Sequence, residues 1–117
     1  MSLLSSILGM FSCNAQSNKF KSVDAKEFEK VISDTTVVRL DVRTAEEYAE
    51  GHIDGAINID VNNPDFEEKA MSALPLTKTI ALYCRSGRRS KKAADILSDK
   101  GYKIVELNTG YIGWTEK

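Results

Sequence analysis

The stretch Thr79–Ser90, with the sequence TIALYCRSGRRS, joins a strand pattern to a helix pattern across a short polar loop. Thr79–Tyr83 is rich in apolar and β-forming residues, which predicts a buried strand that ends at Cys84. Arg88–Lys100 carries the inward apolar stripe of an amphipathic helix, and Gly101 is typical of its C-terminal stop. A cysteine therefore stands where a buried strand ends and a helix begins.

Outward from this stretch, short β-type runs alternate with helix signals from Phe20 to the C-terminus. The other strands are predicted at Phe20–Val23, Val37–Leu40, Ala56–Ile59 and Ile104–Leu107. Capping boxes at Asp24 with Glu27 and at Thr44 with Glu47 predict helices that run to about Ile32 and to Ala49. A third helix is predicted to start at Asn63 and Pro64, and the residues at helical spacing in it are Phe66, Ala70, Met71 and Leu74. Thr109–Trp114 is predicted to be a turn or a single helical turn. The alternation indicates an α/β fold with a parallel sheet.

Length and charge limit the classes of function. A chain of 117 residues is expected to form one domain, and 16 basic against 17 acidic residues do not point to a polyanion partner. Cations are nevertheless concentrated between residues 84 and 92, where no acidic residue occurs: Arg85, Arg88, Arg89, Lys91 and Lys92. So narrow a basic segment favours a small anion over a nucleic acid, which needs a wider basic face.

The first residues differ in composition from the remainder. Residues 1–18 contain no charged side chain, and an apolar run ends near Cys13, so residues 1–19 are predicted to be a tail that precedes a domain at 20–117. We interpret the tail as an export or lipoprotein signal, which implies a periplasmic or lipid-anchored location and membrane contact only if Cys13 is lipidated. The alternative is an amphipathic or disordered tail on a cytoplasmic protein. The run is too short to span a membrane as a helix.

The residue types also bear on metals and cofactors. Two cysteines and a single histidine, His52, cannot supply a four-ligand zinc site, so neither a metal nor another cofactor is expected. The protein is expected to be a monomer.

The loop that starts at Cys84 suits a bound negative charge. The first N–H groups of a helix lack intrahelical partners, and together with nearby cations they lower the pKa of a cysteine from about 8.5 to about 3.5–7.5. Gly87 allows the backbone to turn its amides toward one centre, and Ser86 and Ser90 offer hydroxyl donors. The sequence therefore predicts a reactive thiol at Cys84; an inert buried cysteine at a strand end is the alternative.

Three segments together resemble the rhodanese family: Leu40–Arg43, Glu47–Ile59 and the loop Cys84–Ser90. The resemblance covers about residue 20 to the C-terminus. It implies a small, mainly parallel five-stranded sheet flanked by helices on both faces, and a Cys84 persulfide that carries sulfur. The donor would be thiosulfate or a similar anion, and the acceptor a thiol, cyanide or a sulfur-accepting protein. The substrate-binding residues would be Arg85, Ser86, Gly87, Arg88, Arg89 and Ser90. The ending Thr109–Trp114 departs from the family, which usually has a paired glycine there.

Several residues outside the loop are expected to have structural roles. By the same resemblance, Asp41 and Arg43 are expected to pair and to hold the neighbouring loop. His52 is expected to be a hydrogen-bonded structural residue, and Lys91 and Lys92 to be plain surface residues. Tyr111 and Trp114 either line the pocket or cover the core.

Two other functions remain open. One is a non-catalytic binding or sulfur-relay module that acts with a partner protein. The other is a cysteine phosphatase or an arsenate reductase, but cysteine phosphatases place an arginine six positions after the nucleophile. Ser90 occupies that position here, and Arg89 stands one place too early.

Overall fold

Strands and helices alternate along residues 19–117, the part of the chain that the computed structural model describes. The strands are β1 (Lys21–Val23), β2 (Val38–Asp41), β3 (Ile57–Asn58), β4 (Thr79–Tyr83) and β5 (Lys103–Leu107). The helices are α1 (Ala25–Ile32), α2 (Ala45–Glu50), α3 (Phe66–Ala73), α4 (Arg88–Asp99) and α5 (Gly110–Glu116). All strand pairs are parallel, and the order β1-β5-β4-β2-β3 places β4 in the middle. The predicted α/β fold is confirmed.

The alternation of side chains along β4 divides the core into two layers. Ile80, Leu82 and Cys84 belong to the layer that contains apolar residues of α3 and α4, while Ala81 and Tyr83 belong to the layer that contains those of α1. Helices α1, α3 and α4 each bury apolar residues against their side of the sheet, whereas no residue of α2 is buried. Helix α4 contributes Ala93, Ala94 and Leu97. Because both faces are covered, β4 has no exposed residue and fixes the position of the loop that follows it.

Strand and helix limits differ from the predicted ones by one or two residues at most ends, as expected where termini fray. The cap at Thr44 is a complete capping box with Glu47. At Asp24 the side chain accepts the N–H of Glu27 at 2.9 Å, which is one half of the predicted pair. These caps explain why α1 and α2 begin where the sequence indicated.

The predicted start of α3 was wrong. Asn63 and Pro64 lie in a turn, in which Asn63 accepts the N–H groups of Asp65 and Phe66, and the helix begins at Phe66. Met71 is 51% exposed rather than inward, since Phe66 and Ala70 already form the buried stripe of this short helix. A second difference concerns the C-terminus, where α5 is longer than the predicted single turn.

The prediction of an export segment at residues 1–19 falls almost wholly outside the described residues, and so does the question of lipid on Cys13. Between residues 19 and 117, no helix has both the length and the apolar character needed to cross a membrane.

Candidate functional site

Cys84 lies directly after the central strand, at the carboxyl edge of the sheet. Its residue surface is 1% exposed, and it packs in the layer that contains α4. Ligand sites of open parallel sheets lie beyond the carboxyl ends of the strands, where loops lead into helices. The fold thus places the cysteine at the edge of the sheet where such sites occur.

Gly87 turns the backbone of the loop toward the sulfur. Its φ of 107° lies in the left-handed region, and its N–H donates to Cys84 Sγ over 3.1 Å. A Cβ atom here would stand 2.2 Å from the carbonyl oxygen of Asn108, so a side chain would collide with backbone. Conformation and space both require glycine at this position, as the sequence predicted.

The environment of the sulfur acts on the pKa of Cys84 in two opposing ways. Burial raises the pKa, whereas hydrogen bonds from the N–H groups of Ser90, Gly87 and Ser86 lower it. The net direction is downward from the ordinary value of a cysteine. A lower pKa means a larger thiolate fraction near neutral pH, which is the nucleophilic form.

Helix α5 supports the loop from behind. The N–H of Tyr111 donates to the carbonyl of Cys84 over 2.8 Å, and that of Ile112 donates to the carbonyl of Arg85 over 3.1 Å. These N–H groups belong to the first turn of α5 and would otherwise lack partners. Gly110 has a φ of 66° where this helix meets the loop. The loop is therefore held between two helix N-termini.

Gly110→Ala is expected to destabilise the fold by about 2 kcal/mol or more, from overpacking and a strained φ together. The new Cβ would lie 2.2 Å from the Arg85 carbonyl oxygen and 2.6 Å from the Ser86 nitrogen, both of which are backbone atoms. The matched control is Gly101→Ala, because Gly101 also has a positive φ of 97° but its nearest neighbour would be 3.8 Å away. Urea unfolding of both variants measures the difference; equal losses would show that the contact with the loop costs nothing.

Of the three arginines in the loop, two are exposed and one is paired with a carboxylate. Arg85 and Arg88 are exposed, and neither forms a salt bridge with a residue between 19 and 117. Arg89 instead makes two hydrogen bonds to Glu47 of α2, with Nη1 to Oε1 at 2.7 Å and Nη2 to Oε2 at 2.9 Å. The charge of Arg89 at the N-terminus of α4 is thus compensated by a carboxylate of the same chain.

This ion pair makes stability depend on pH. The hydrogen bonds from Arg89, more than the opposing effect of burial, lower the pKa of Glu47 from 4.5 to about 2. A carboxyl whose pKa is lower in the folded state stabilises the fold above its unfolded pKa, and that stabilisation is lost as the pH falls through its folded pKa. The relevant window therefore runs from 4.5 down to about 2.

Glu47→Gln is accordingly expected to lower the free energy of unfolding at pH 6 and to have a progressively smaller effect as the pH falls toward 2. Urea unfolding at several pH values measures this. Glu46→Gln is the matched control because Glu46 is exposed on the same turn of α2 and takes part in no salt bridge within the described part of the chain. A deficit of the Glu47 variant that stays constant over this range would contradict the assignment.

Glu106 is a neighbour of the loop that sequence analysis did not single out. It is fully buried in β5, and its Oε2 accepts hydrogen bonds from Ser90 Oγ at 2.6 Å and from Lys91 Nζ at 3.3 Å. Lys91 is thus more than a plain surface residue, whereas the exposed Lys92 reaches Asn62 at 3.4 Å. An acidic residue inside an apolar strand was the available signal for Glu106.

Asp41 and Arg43 pair as expected. Arg43 Nη2 lies 2.6 Å from Asp41 Oδ2, and the two side chains are 4% and 0% exposed. Nη2 also donates to the carbonyl of Gly51 at 2.7 Å, and the guanidinium stacks 4.5 Å from the ring centre of Tyr111. The pair joins the end of β2 to the segment after α2 and to α5.

Next to the loop lies a cleft of about 280 Å³. It is lined by Arg43, Glu47, Glu50, Gly51, Arg85, Tyr111, Ile112 and Thr115. Tyr111 therefore lines a cleft, whereas Trp114 packs against Phe28 on the α1 side of the sheet. His52 is structural, as expected: its Nδ1 is 2.8 Å from the carbonyl oxygen of Tyr48, and its ring stacks on that of Tyr48. Within residues 19–117, no group of three or more His, Cys, Asp or Glu is placed to hold a metal ion.

Comparison with known proteins gives a consistent result. Residues 24–117 match the family described as rhodanese-like domain. The putative mitochondrial thiosulfate sulfurtransferase of Schizosaccharomyces pombe is 34% identical over 116 residues, which cover 83% of this chain and 81% of that protein. Thiosulfate sulfurtransferase PspE of Escherichia coli is 41% identical over 68 residues, 57% of this chain and 64% of PspE. The putative sulfur carrier protein YrkF of Bacillus subtilis is 37% identical over 90 residues, 76% of this chain but 47% of YrkF.

The solved structures show the same fold. The crystal structure of a rhodanese-related protein from Thermoplasma volcanium superposes with a TM-score of 0.73 at 32% identity, covering 83% of this chain and 92% of that one. Sequence family, sheet order and the cysteine-containing loop after the central strand agree with one another. The chain belongs to the rhodanese-like domain family.

Proposed function

We propose that the protein is a sulfurtransferase that moves sulfane sulfur from thiosulfate, or a similar anion, to a thiophilic acceptor through a persulfide on Cys84. The observation that carries the proposal is the hydrogen bond of the Gly87 N–H to Cys84 Sγ at 3.1 Å, in a loop whose donors lower the pKa of the thiol. The same donors suit the negative charge of a persulfide. The names of the sulfurtransferase relatives agree with this chemistry.

The reaction has two steps that balance in atoms and charge. The Cys84 thiolate attacks the outer sulfur of thiosulfate, the S–S bond of the donor breaks, and sulfite leaves with the electron pair of that bond. The persulfide Cys84–S–S⁻ then gives its outer sulfur to cyanide or a thiolate, which regenerates the Cys84 thiolate. Exposed Arg85 and Arg88 are the proposed docking cations for the sulfonate group of the donor, since guanidinium groups bind such oxyanions well.

Ser86, Gly87, Arg89 and Ser90 have other proposed roles in the loop. Gly87, and with it the backbone of Ser86 and Ser90, supplies N–H groups to the sulfur. Arg89 orders the loop through Glu47 and adds positive charge to the field at Cys84. Ser90 is buried at the position where a phosphatase would need its arginine, which does not favour phosphatase or arsenate reductase chemistry.

Mass spectrometry of the thiosulfate-treated protein tests the proposal. The expected result is the gain of one sulfur atom on the peptide that contains Cys84, removed again by cyanide, with one sulfite released for each sulfur bound. Protein alkylated beforehand at Cys84 is the control and should gain nothing. Absence of the adduct in active, folded protein would rule out the persulfide.

A relay module is the second candidate function. Cys84 is 1% exposed, so a partner would have to reach into the loop, and one relative is named as a putative sulfur carrier protein. A persulfide that forms on Cys84 but transfers to cyanide only slowly would favour relay to an acceptor protein. Fast turnover with cyanide would favour the enzyme.

A further inference from the structure

Glu106 is a buried carboxylate that the reaction described above does not use. It is 0% exposed and lies two side-chain contacts from the sulfur of Cys84, through Ser90. Three donors surround it: Ser22 Oγ at 2.5 Å, Ser90 Oγ at 2.6 Å and Lys91 Nζ at 3.3 Å. An ionised carboxylate only accepts hydrogen bonds, and three donors suit that form.

The hydroxyl of Ser90 has one proton and two neighbours that compete for it. Its oxygen is 2.6 Å from Glu106 Oε2 and 3.5 Å from Cys84 Sγ. The carboxylate is both nearer and charged, and charge-assisted hydrogen bonds of this kind are the stronger ones. The proton therefore belongs to the bond with Glu106, and a lone pair of the Ser90 oxygen faces the sulfur. In this arrangement the hydrogen between sulfur and oxygen is the thiol's own, with Cys84 as donor.

We propose that Glu106 is a positioning residue for Cys84. Because Glu106 holds the hydroxyl proton of Ser90, a lone pair of the Ser90 oxygen faces the sulfur. That lone pair and the charge of Glu106 together restrain ionisation of the thiol. The N–H groups of the loop, including that of Gly87, then stabilise the thiolate. The Ser90 hydroxyl adds to this stabilisation only when its proton is no longer bound to Glu106. Glu106 thereby sets the pH at which Cys84 becomes nucleophilic. The consequence of this proposal for catalysis rests on the proposed function, in which Cys84 carries the sulfur.

Within residues 19–117, the groups that contact this chain of residues come from three elements. Strand β1 contributes the Ser22 hydroxyl, β4 leads into Cys84, and α4 contributes Ser90 and Lys91. Arg89, also on α4, acts on Cys84 by its charge but is held by Glu47. Lys91 is half-exposed and partly balances the charge of Glu106. The negative charge nearest to the sulfur along this path is therefore that of Glu106.

The test compares single and double variants by the rate at which iodoacetamide alkylates Cys84, measured on the peptide that contains Cys84. The rate is followed against pH, and the quantity compared is the pH midpoint of the rise in rate. Glu106→Gln is expected to move the midpoint down by about one pH unit, and so to speed alkylation about tenfold well below the midpoint. Ser90→Ala in the native background is expected to leave the midpoint unchanged or lower it, because the Ser90 oxygen acts there as an acceptor. Ser90→Ala added to Glu106→Gln is expected to raise the midpoint, because Ser90 is then free to donate.

The sign of the serine effect decides the proposal. If Ser90→Ala raises the midpoint in the native background, Ser90 donates to the thiolate there and the proposal is overturned. Should Glu106→Gln fail to fold, the Ser90→Ala arm gives the same decision alone. Glu68→Gln, an exposed site on α3, controls for the change of net charge. Alkylation needs no thiosulfate, so this experiment can be interpreted even if the sulfurtransferase proposal fails. Equally, the sulfurtransferase proposal can be tested even if Glu106 has no effect on Cys84.

Discussion

Cys84→Ser is expected to lose sulfur transfer from thiosulfate to cyanide down to the uncatalysed background. A serine hydroxyl has a far higher pKa than a thiol, so the donors of the loop cannot make it an alkoxide near neutral pH, and oxygen does not form the persulfide. Replacing sulfur by oxygen in a buried position changes little else, so the unfolding free energy should stay close to that of the parent. Initial rates of thiocyanate formation, together with urea unfolding, measure the two effects.

The chain offers its own control for this substitution. Cys13 is the only other cysteine in the sequence, and Cys13→Ser makes the same chemical change. It is expected to retain both turnover and the Cys84 adduct. Turnover that survives in Cys84→Ser and disappears in Cys13→Ser would transfer the proposed sulfur-carrier role to the other cysteine.

The strand, loop and helix around Cys84 could be predicted because their signals are local. The apolar run of β4, the glycine at the start of α4 and the glycine after it each act within a few residues, and the predicted limits of β4 agree with the structure. Thr44 with Glu47 is another local pair, and its capping box was predicted for the same reason. Local hydrogen bonds and periodicity are what a single sequence displays.

Contacts between distant segments could not be predicted in the same way. The ion pair of Glu47 with Arg89 joins residues 42 positions apart, and its geometry depends on how α2 and α4 meet. The sequence predicted Arg89 as a substrate-binding residue and did not indicate that Glu47 would compensate its charge. The contact of Ser90 with Glu106 is of the same kind, and so is the support that α5 gives to the loop.

The wrong start of α3 has a local cause. Asn63 and Pro64 have the composition of a helix N-terminus, but the same residues also suit a turn, and here the Asn63 side chain accepts the N–H of Asp65 at 3.3 Å within that turn. The buried Phe66 and Ala70 then define the inward stripe, which leaves Met71 on the opposite side. In the ending Thr109–Trp114, which departs from the family's paired glycine, Thr109 has a φ of −95°, so its position does not require glycine.

Arg43→Met is expected to reduce the free energy of unfolding by about 3–5 kcal/mol, because it leaves the carboxylate of Asp41 buried without its partner. Asp41 Oδ1 would keep the N–H of residue 43 at 2.9 Å, whereas the guanidinium contacts at 2.9, 3.1 and 2.6 Å would be lost. The carbonyl of Gly51 and the ring of Tyr111 would lose the same partner. Since Tyr111 holds the carbonyl of Cys84, the loss should also disturb the loop.

A surface pair provides the comparison that separates burial from charge. Lys69 lies 3.7 Å from Asp65 with both side chains about half exposed, so Lys69→Met should cost no more than about 1 kcal/mol. Asp41→Asn combined with Arg43→Met should recover part of the loss, because the double variant removes the unpaired charge as well as its partner. Urea unfolding of the three variants at pH 7 measures these differences. Equal costs for Arg43→Met and Lys69→Met would mean that the buried pair contributes no more than an exposed one.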